Sequence, residues 1–141
     1  MNTENKKWIY LDDIRTPKVP GDWVVVRSYD EFVETVDRIG FENIALISLD
    51  HDLGPSAMAE WHTNVYTNYT LDYNNITEKT GYDCAKWLVE QWIGGKPFIK
   101  TVTHSANAIG AGNITGLINN YCHIYSLPQT SERVRIEYTT L

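Results

Sequence analysis

Three apolar runs of the chain end in side chains that can transfer protons or hold a metal ion. The residues that follow these runs are, in chain order, Asp12, Asp13 and Arg15, then Asp50, His51 and Asp52, and then His104, Ser105 and Asn107. Imidazoles transfer protons near neutral pH, and carboxylates hold hard cations such as Mg²⁺. Short, nearly all-apolar runs are typical of strands buried in a parallel sheet, where ligands bind at the carboxyl edge. The sequence therefore predicts one polar site at such an edge.

The elements that position these residues follow from the apolar pattern and from helix start and stop signals. The predicted strands are residues 8–11, 23–27, 44–49, 98–103 and 133–138. Helices are predicted after the capping patterns S-x-x-E at Ser28 and T-x-x-D at Thr80, ending at Gly40 and Gly94, and a third helix follows SANAIGAGN. This order predicts an α/β fold, a three-layer sandwich around an open, mostly parallel sheet.

Residues 55–79 form the least regular part of the chain and are predicted to be an insert after the third strand of a single domain, 1–141. The alternating stretch VYTNYTLDY predicts a short β-excursion within it. Trp61, Tyr66, Tyr69 and Tyr73 offer flat rings on which a nucleobase could stack, although packing of the insert onto the domain is the simpler interpretation of each.

Charge and composition restrict the partners of this site. Twelve basic and eighteen acidic residues give a net charge of −6, without a Lys/Arg cluster that could neutralise a row of phosphates. Long nucleic acid is therefore disfavoured, whereas a small phosphorylated nucleotide ligand needs only one or two cations. No apolar leader or membrane-spanning run occurs, so we expect a cytoplasmic protein without a membrane partner. Cys84 and Cys122 are expected to be core thiols.

Local spacing leaves several roles open. Asp50 and Asp52 would face the same way on a continuing strand and could flank a structural His51, or they could orient a His51 that does the chemistry. His104 and Ser105 are adjacent on a strand, so a nucleophile and base pair is improbable there. Gly110 and Gly112 could form an anion cradle, or could merely allow close packing.

Together, the blocks LDDIRTP, SLDHDLG, TGYDCAKWLVE and THSANAIGAGNI resemble the cyclic-phosphate processing receiver-like family, a branch of the response-regulator receiver fold common in phages and bacteria. The resemblance implies a receiver-like α/β sandwich whose strand-end site is rebuilt to hydrolyse cyclic phosphates of nucleotides or RNA ends. The family's pattern falls on the nine polar residues that follow the three runs. The Lys that a phosphate-accepting receiver carries near its last strand is missing from the sequence, which disfavours phosphorelay signalling.

Two classes of function follow from these residues. The first is a hydrolase, a phosphodiesterase that opens a cyclic phosphate with His51 as general acid, favoured in its protonated form by Asp50 and Asp52, and with His104 as base. The neighbours of His104 are neutral, so we expect burial to lower its pKa. The predicted phosphate-binding residues are Arg15, Ser105, Asn107, Gly110, Gly112 and Asn113. A rival mechanism uses a divalent cation such as Mg²⁺ on Asp12, Asp13 and Asp50. The second class is a non-catalytic module that binds a phosphorylated nucleotide or a protein partner.

Overall fold

The computed structural model describes residues 6–135, which are built around a four-stranded parallel sheet. The strands are β1 (Lys7–Leu11), β2 (Trp23–Val26), β3 (Ile44–Leu49) and β4 (Lys100–Thr103), in the order β2-β1-β3-β4. All neighbouring pairs are parallel, so the four carboxyl ends share one edge. The predicted α/β class with an open, receiver-like parallel sheet is confirmed.

Within residues 6–135, five α-helices connect or follow the strands. They are α1 (Tyr29–Ile39), α2 (Pro55–Glu60), α3 (Tyr66–Asn68), α4 (Gly81–Ile93) and α5 (Ala108–Ile124), with a π-helical turn at Trp61–Val65 and 3₁₀ turns at Phe41–Asn43 and Tyr73–Asn75. The predicted capping box at Thr80 and Asp83 is present at the start of α4. Ser28 caps α1, and Gly40, at φ 93°, ends that helix. Among the described residues, no helix combines the length and apolarity needed to cross a bilayer.

The two faces of the sheet differ in what covers them. On one face, alternate strand residues such as Ile9, Leu11 and Ile47 form a continuous core with α1, α4 and α5. That core also contains Cys84 and Cys122, which are buried free thiols as predicted. On the other face, the remaining alternate residues border a groove of about 480 Å³. The loop between β1 and β2 borders this groove through Val19, in a position where a βαβ connection would place a helix.

The predicted β-excursion in the insert is wrong, because residues 55–68 are helical. Pro55 occupies the first turn of α2, where its fixed φ favours a helix, and the Glu78 carboxylate accepts hydrogen bonds from the N–H groups of Ser56 and Ala57. Ala57 and Val65 are buried, so tertiary contacts override the alternating pattern.

Within residues 133–135, the described part of the last predicted strand, Arg133 forms an isolated parallel bridge with Thr103. Residues 136–138 of that prediction lie outside the described residues. The strand predicted at 98–103 begins later, at Lys100.

Candidate active site

The ends of β1 and β3 bring three carboxylates together, as the sequence predicts. The Asp50 N–H donates to the Leu11 carbonyl at 2.9 Å, which places the residues after the two strands side by side. Asp12, Asp13 and Asp50 each present an oxygen within 4.8 Å of the others. Asp12 and Asp50 are almost fully buried. The result is an acidic cluster, defined as Asp12, Asp13 and Asp50.

Asp12 is the most heavily hydrogen-bonded member of the acidic cluster. Its Oδ1 accepts from the N–H groups of Ile14 and Arg15 at 2.9 and 2.8 Å, and its Oδ2 accepts from Arg15 Nη1 and His104 Nε2 at 3.3 and 3.1 Å. Burial acts to raise the pKa of Asp12, but the hydrogen bonds from His104, Arg15 and Ile14 outweigh it and lower that pKa. Asp12 is therefore ionised, and its hydrogen bonds hold Arg15 and His104 in place.

The pKa values of Asp50 and Asp13 are raised, whereas that of Asp12 is lowered. Burial, followed by the charge of Asp12, raises the pKa of Asp50 to about 8, although Ser105 and Arg15 oppose the shift. Burial and Asp12 also raise the pKa of Asp13. These two carboxyls carry the oxygens that can turn toward a cation, and hard oxygen ligands suit Mg²⁺. A divalent cation would offset the burial and the repulsion from Asp12 that together favour a proton on Asp50, so the residues present fit such an ion.

His104 joins three strands through its ring. Its Nε2 lies 3.1 Å from Asp12 Oδ2, and its Nδ1 lies 2.7 Å from Ser48 Oγ. Because Asp12 is an ionised acceptor, Nε2 carries the proton and Nδ1 accepts from the Ser48 hydroxyl. Burial lowers the pKa of His104, as expected from the sequence, while Asp12 partly opposes the shift. The imidazole is fully buried and neutral, so it has no direct path to a substrate.

His51 belongs to a second network that ends in the insert. Its Nδ1 lies 2.7 Å from Asp52 Oδ1, which also accepts from the Asn107 amide at 3.1 Å. Its Nε2 lies 2.9 Å from the Tyr73 hydroxyl, which accepts from the Asn113 amide at 3.1 Å. Because the Asp52 carboxylate can only accept, Nδ1–H donates to Asp52. In the neutral imidazole Nε2 then accepts from the Tyr73 hydroxyl. His51 is also fully buried.

The predicted anion cradle at Gly110 and Gly112 does not form. The Gly110 N–H donates to the Asn107 side chain at 2.8 Å, so it is already engaged. A Cβ on Gly110 would overlap the His51 ring, which makes close packing the reason for this glycine. Gly112 is exposed and lies within α5, where its N–H is part of the helix.

The remaining predicted phosphate ligands have other bonds in the structure. Arg15 keeps 31% of its side chain exposed beside Asp12 and is the cation nearest the acidic cluster. The Ser105 side chain acts to lower the pKa of Asp50 and accepts from the Asn107 N–H, while Asn107 caps α5. Asn113 holds Tyr73. These side chains are engaged mainly in hydrogen bonds within the protein, rather than being left to donate to a phosphate.

Four residues contribute contacts that the sequence prediction did not include. Arg27 donates to the carbonyls of Asp12 and Arg15, and Arg133 donates to those of Ser105 and Ala106. Ser48 and Tyr73 complete the two histidine networks. A lone Ser within an apolar run, two positions before Asp50, was the available sequence signal for Ser48. Neither arginine carries a comparable local signal.

An open parallel sheet with carboxylates gathered at its carboxyl edge defines a receiver-like α/β protein. A family model described as the cyclic-phosphate processing receiver domain matches residues 7–120, from the first residue of β1 into α5. The chain belongs to this family. Neither a curated protein nor a solved structure matches the chain.

Proposed function

We propose that the chain hydrolyses a cyclic phosphate of a nucleotide or RNA end at the acidic cluster, with a divalent cation. The observation that carries this proposal is the crowding of three carboxylates whose oxygens lie within 4.8 Å of one another. Two of them are buried, and the pKa of Asp50 is raised to about 8, mainly by burial. Carboxylates this close together are stable only when bound protons or a cation offset their mutual repulsion. The cluster also agrees with the family's association with cyclic phosphates.

The residues of the chain supply binding and orientation in this proposal. Asp13 and Asp50 would hold the cation, and when bound it would polarise a phosphoryl oxygen and lower the pKa of a water molecule. Arg15 offers a guanidinium that can pair with a phosphate oxygen, because only part of its charge is committed to Asp12. His104 fixes the orientation of Asp12, which in turn holds Arg15.

Direct acid–base catalysis by His51 and His104 is the weaker form of the proposal. Each imidazole is fully buried, and each ring nitrogen has a partner within the protein. Proton transfer to a substrate from His51 requires Tyr73 to move, or to relay the proton. The geometry favours positioning roles, with His104 acting through Asp12 and His51 acting through Asp52.

Turnover of cyclic phosphates by the purified chain tests the proposal. We would screen 2′,3′-cyclic nucleotides, 3′,5′-cyclic nucleotides and cyclic dinucleotides by ³¹P NMR, with Mg²⁺ and with chelator. We expect hydrolysis of at least one class that chelator abolishes and that Asp13→Asn reduces by at least about 10²-fold. Asp37→Asn is the matched control, because Asp37 is exposed on α1. Hydrolysis that is indifferent to chelator but lost in His51→Ala would favour the histidine mechanism.

A second candidate is a non-catalytic module that binds a small phosphorylated nucleotide. The enclosure of both imidazoles favours it, since neither is placed to act on a ligand directly. Saturable binding of a cyclic nucleotide in calorimetry, without any product in the NMR assay, would identify this function and exclude the hydrolase.

A further inference from the structure

The groove on the sheet face opposite the helical core is separate from the acidic cluster. This groove of about 480 Å³ is lined by alternate strand residues, chiefly Trp8, Tyr10, Trp23, Leu46, Ser48 and Val102. Its size falls within the range of small-molecule sites, which are mostly apolar with a few placed polar groups. Ser48 links the groove to the acidic edge, because its hydroxyl donates to His104.

The aromatic wall of the groove is held in place by the loop between β1 and β2. Trp8 and Trp23 meet edge to face with ring centroids 5.2 Å apart, and Trp23 Nε1 donates to the Val19 carbonyl at 2.9 Å. Gly21 lies against the Trp8 indole so closely that any Cβ would overlap the ring. Tyr10 packs edge to face on Trp23, with ring centroids 5.6 Å apart. The rings therefore form a fixed surface for a planar ligand.

The rim of the groove is basic, in contrast to the chain as a whole. Three basic residues, Lys100, Arg133 and Arg135, border it together with one acidic residue, Glu132, although the chain carries a net charge of −6. Arg133 is fixed there by hydrogen bonds to the carbonyls of Ser105 and Ala106. Lys100 is exposed at the first position of β4, and no ion pair involves it among residues 6–135. This rim complements an anion.

We propose that the groove is a second ligand site, distinct from the acidic cluster, that takes a planar aromatic anion of the nucleoside monophosphate class. The heterocycle packs against the aromatic wall formed by Trp8 and Trp23, where stacking on aromatic rings is favourable for any base. The phosphate faces the basic rim, where Lys100 and Arg133 supply positive charge. The site does not depend on hydrolysis at the acidic edge, so it can exist with or without the proposed activity.

Binding of adenosine monophosphate to the full chain tests this site. The readouts are calorimetry and tryptophan fluorescence, in chelator so that no cation occupies the acidic cluster. We expect saturable binding with a change in fluorescence, because two of the five tryptophans line the groove. Adenosine and inorganic phosphate, tested separately, should each bind at least about tenfold more weakly than the monophosphate, since each makes only one of the two contacts.

Matched variants locate the binding. Lys100→Gln should weaken the binding of adenosine monophosphate by about three- to tenfold and leave the binding of adenosine unchanged. Lys96 is an exposed lysine outside the groove, so Lys96→Gln should change neither affinity. Leu46→Trp should abolish binding by filling the groove. If that variant fails to fold, Lys100→Gln still decides the test. Asp13→Asn should leave binding intact, because it alters only the acidic cluster.

Several outcomes would overturn the second site. Lack of saturable binding would do so, as would inorganic phosphate binding as tightly as the monophosphate. Binding that Asp13→Asn removes and Lys100→Gln leaves intact would place the nucleotide at the acidic edge. Self-association abolished by Leu46→Trp, without nucleotide binding, would show that a second copy of the chain covers the groove. Hydrolysis at the acidic cluster is measured in a separate assay, so failure of the second site does not exclude it and the two proposals can fail separately.

Discussion

The imidazole of His104 lies flat on the phenol ring of Tyr10, with ring centroids 4.3 Å apart and 4° between the ring planes. Both residues are buried, and the ring nitrogens of His104 bond to Ser48 on β3 and to Asp12 after β1. His104 therefore connects the ends of three strands while holding Asp12 in its ionised form. This arrangement makes it a structural support for the acidic cluster rather than a solvent-facing base.

Replacing His104 should cost stability as well as any activity. His104→Ala removes the hydrogen bond that the neutral imidazole donates to the buried Asp12 carboxylate, and a hydrogen bond to a charged group contributes about 1.5–3 kcal/mol. We expect a drop of that order in the free energy of unfolding, measured with urea at neutral pH. His62→Ala, at an exposed position, should change it by less than about 0.5 kcal/mol. Equal stability of the two variants would contradict the supporting role.

A divalent cation should stabilise the folded chain through the acidic cluster. A ligand that binds only the folded state at 100 times its Kd adds about 2.7 kcal/mol to stability. We expect saturating Mg²⁺ to raise the Tm of the wild-type chain, and Asp13→Asn to lose most of that increase. Asp37→Asn should keep it, because Asp37 is exposed on α1. A Tm indifferent to Mg²⁺ in all three proteins would argue against a metal site.

Much of the fold and the acidic cluster could be predicted from local sequence. The apolar runs predicted four strands to within a few residues, and T-x-x-D at Thr80 marked the start of α4. Asp12 and Asp50 meet because parallel strands end at one edge, which follows from the strand order alone. The lowered pKa of His104 was also predicted, because its neighbours Thr103, Ser105 and Ala106 are neutral and leave burial as the main effect.

The contacts that decide the roles of the histidines were not predictable in this way. Ser48 and His104 are 56 residues apart, and His51 and Tyr73 are 22 apart, so only the folded chain brings them together. The helical form of the insert depends on Glu78 bonding across it to Ser56. The groove exists because a loop, not a helix, follows β1, and sequence pattern alone does not show which face that loop covers.

Asp50 should make the stability of the metal-free chain fall as pH rises. Its pKa increases from 3.8 to about 8 on folding, chiefly through burial. Between these values the folded state binds more protons at Asp50 than the unfolded state, so the free energy of unfolding decreases with pH, by up to about 1.4 kcal/mol per pH unit. Asp50→Asn removes this contribution.

We therefore expect Asp50→Asn to gain stability relative to the wild-type chain as the pH rises from about 5 to about 7, when both are unfolded by urea in chelator. Below the unfolded-state pKa of the carboxyl the two proteins should converge. Asp37→Asn controls for the loss of a surface charge. A stability difference that does not vary with pH would show that Asp50 is ionised in the folded chain.

Tyr73 should hold the insert against the site through its hydroxyl group. That hydroxyl bonds to His51 and Asn113, and the ring stacks on Tyr82 at 5.4 Å. Tyr73→Phe keeps the stack but leaves the buried Nε2 of His51 without a donor, which costs about 1–3 kcal/mol. We expect lower stability and faster amide hydrogen exchange across the insert, residues 55–79. Tyr66→Phe, with 71% of the residue exposed, is the control and should change neither. Unchanged exchange in Tyr73→Phe would mean that Glu60 and Glu78, through their own hydrogen bonds, are enough to hold the insert in place.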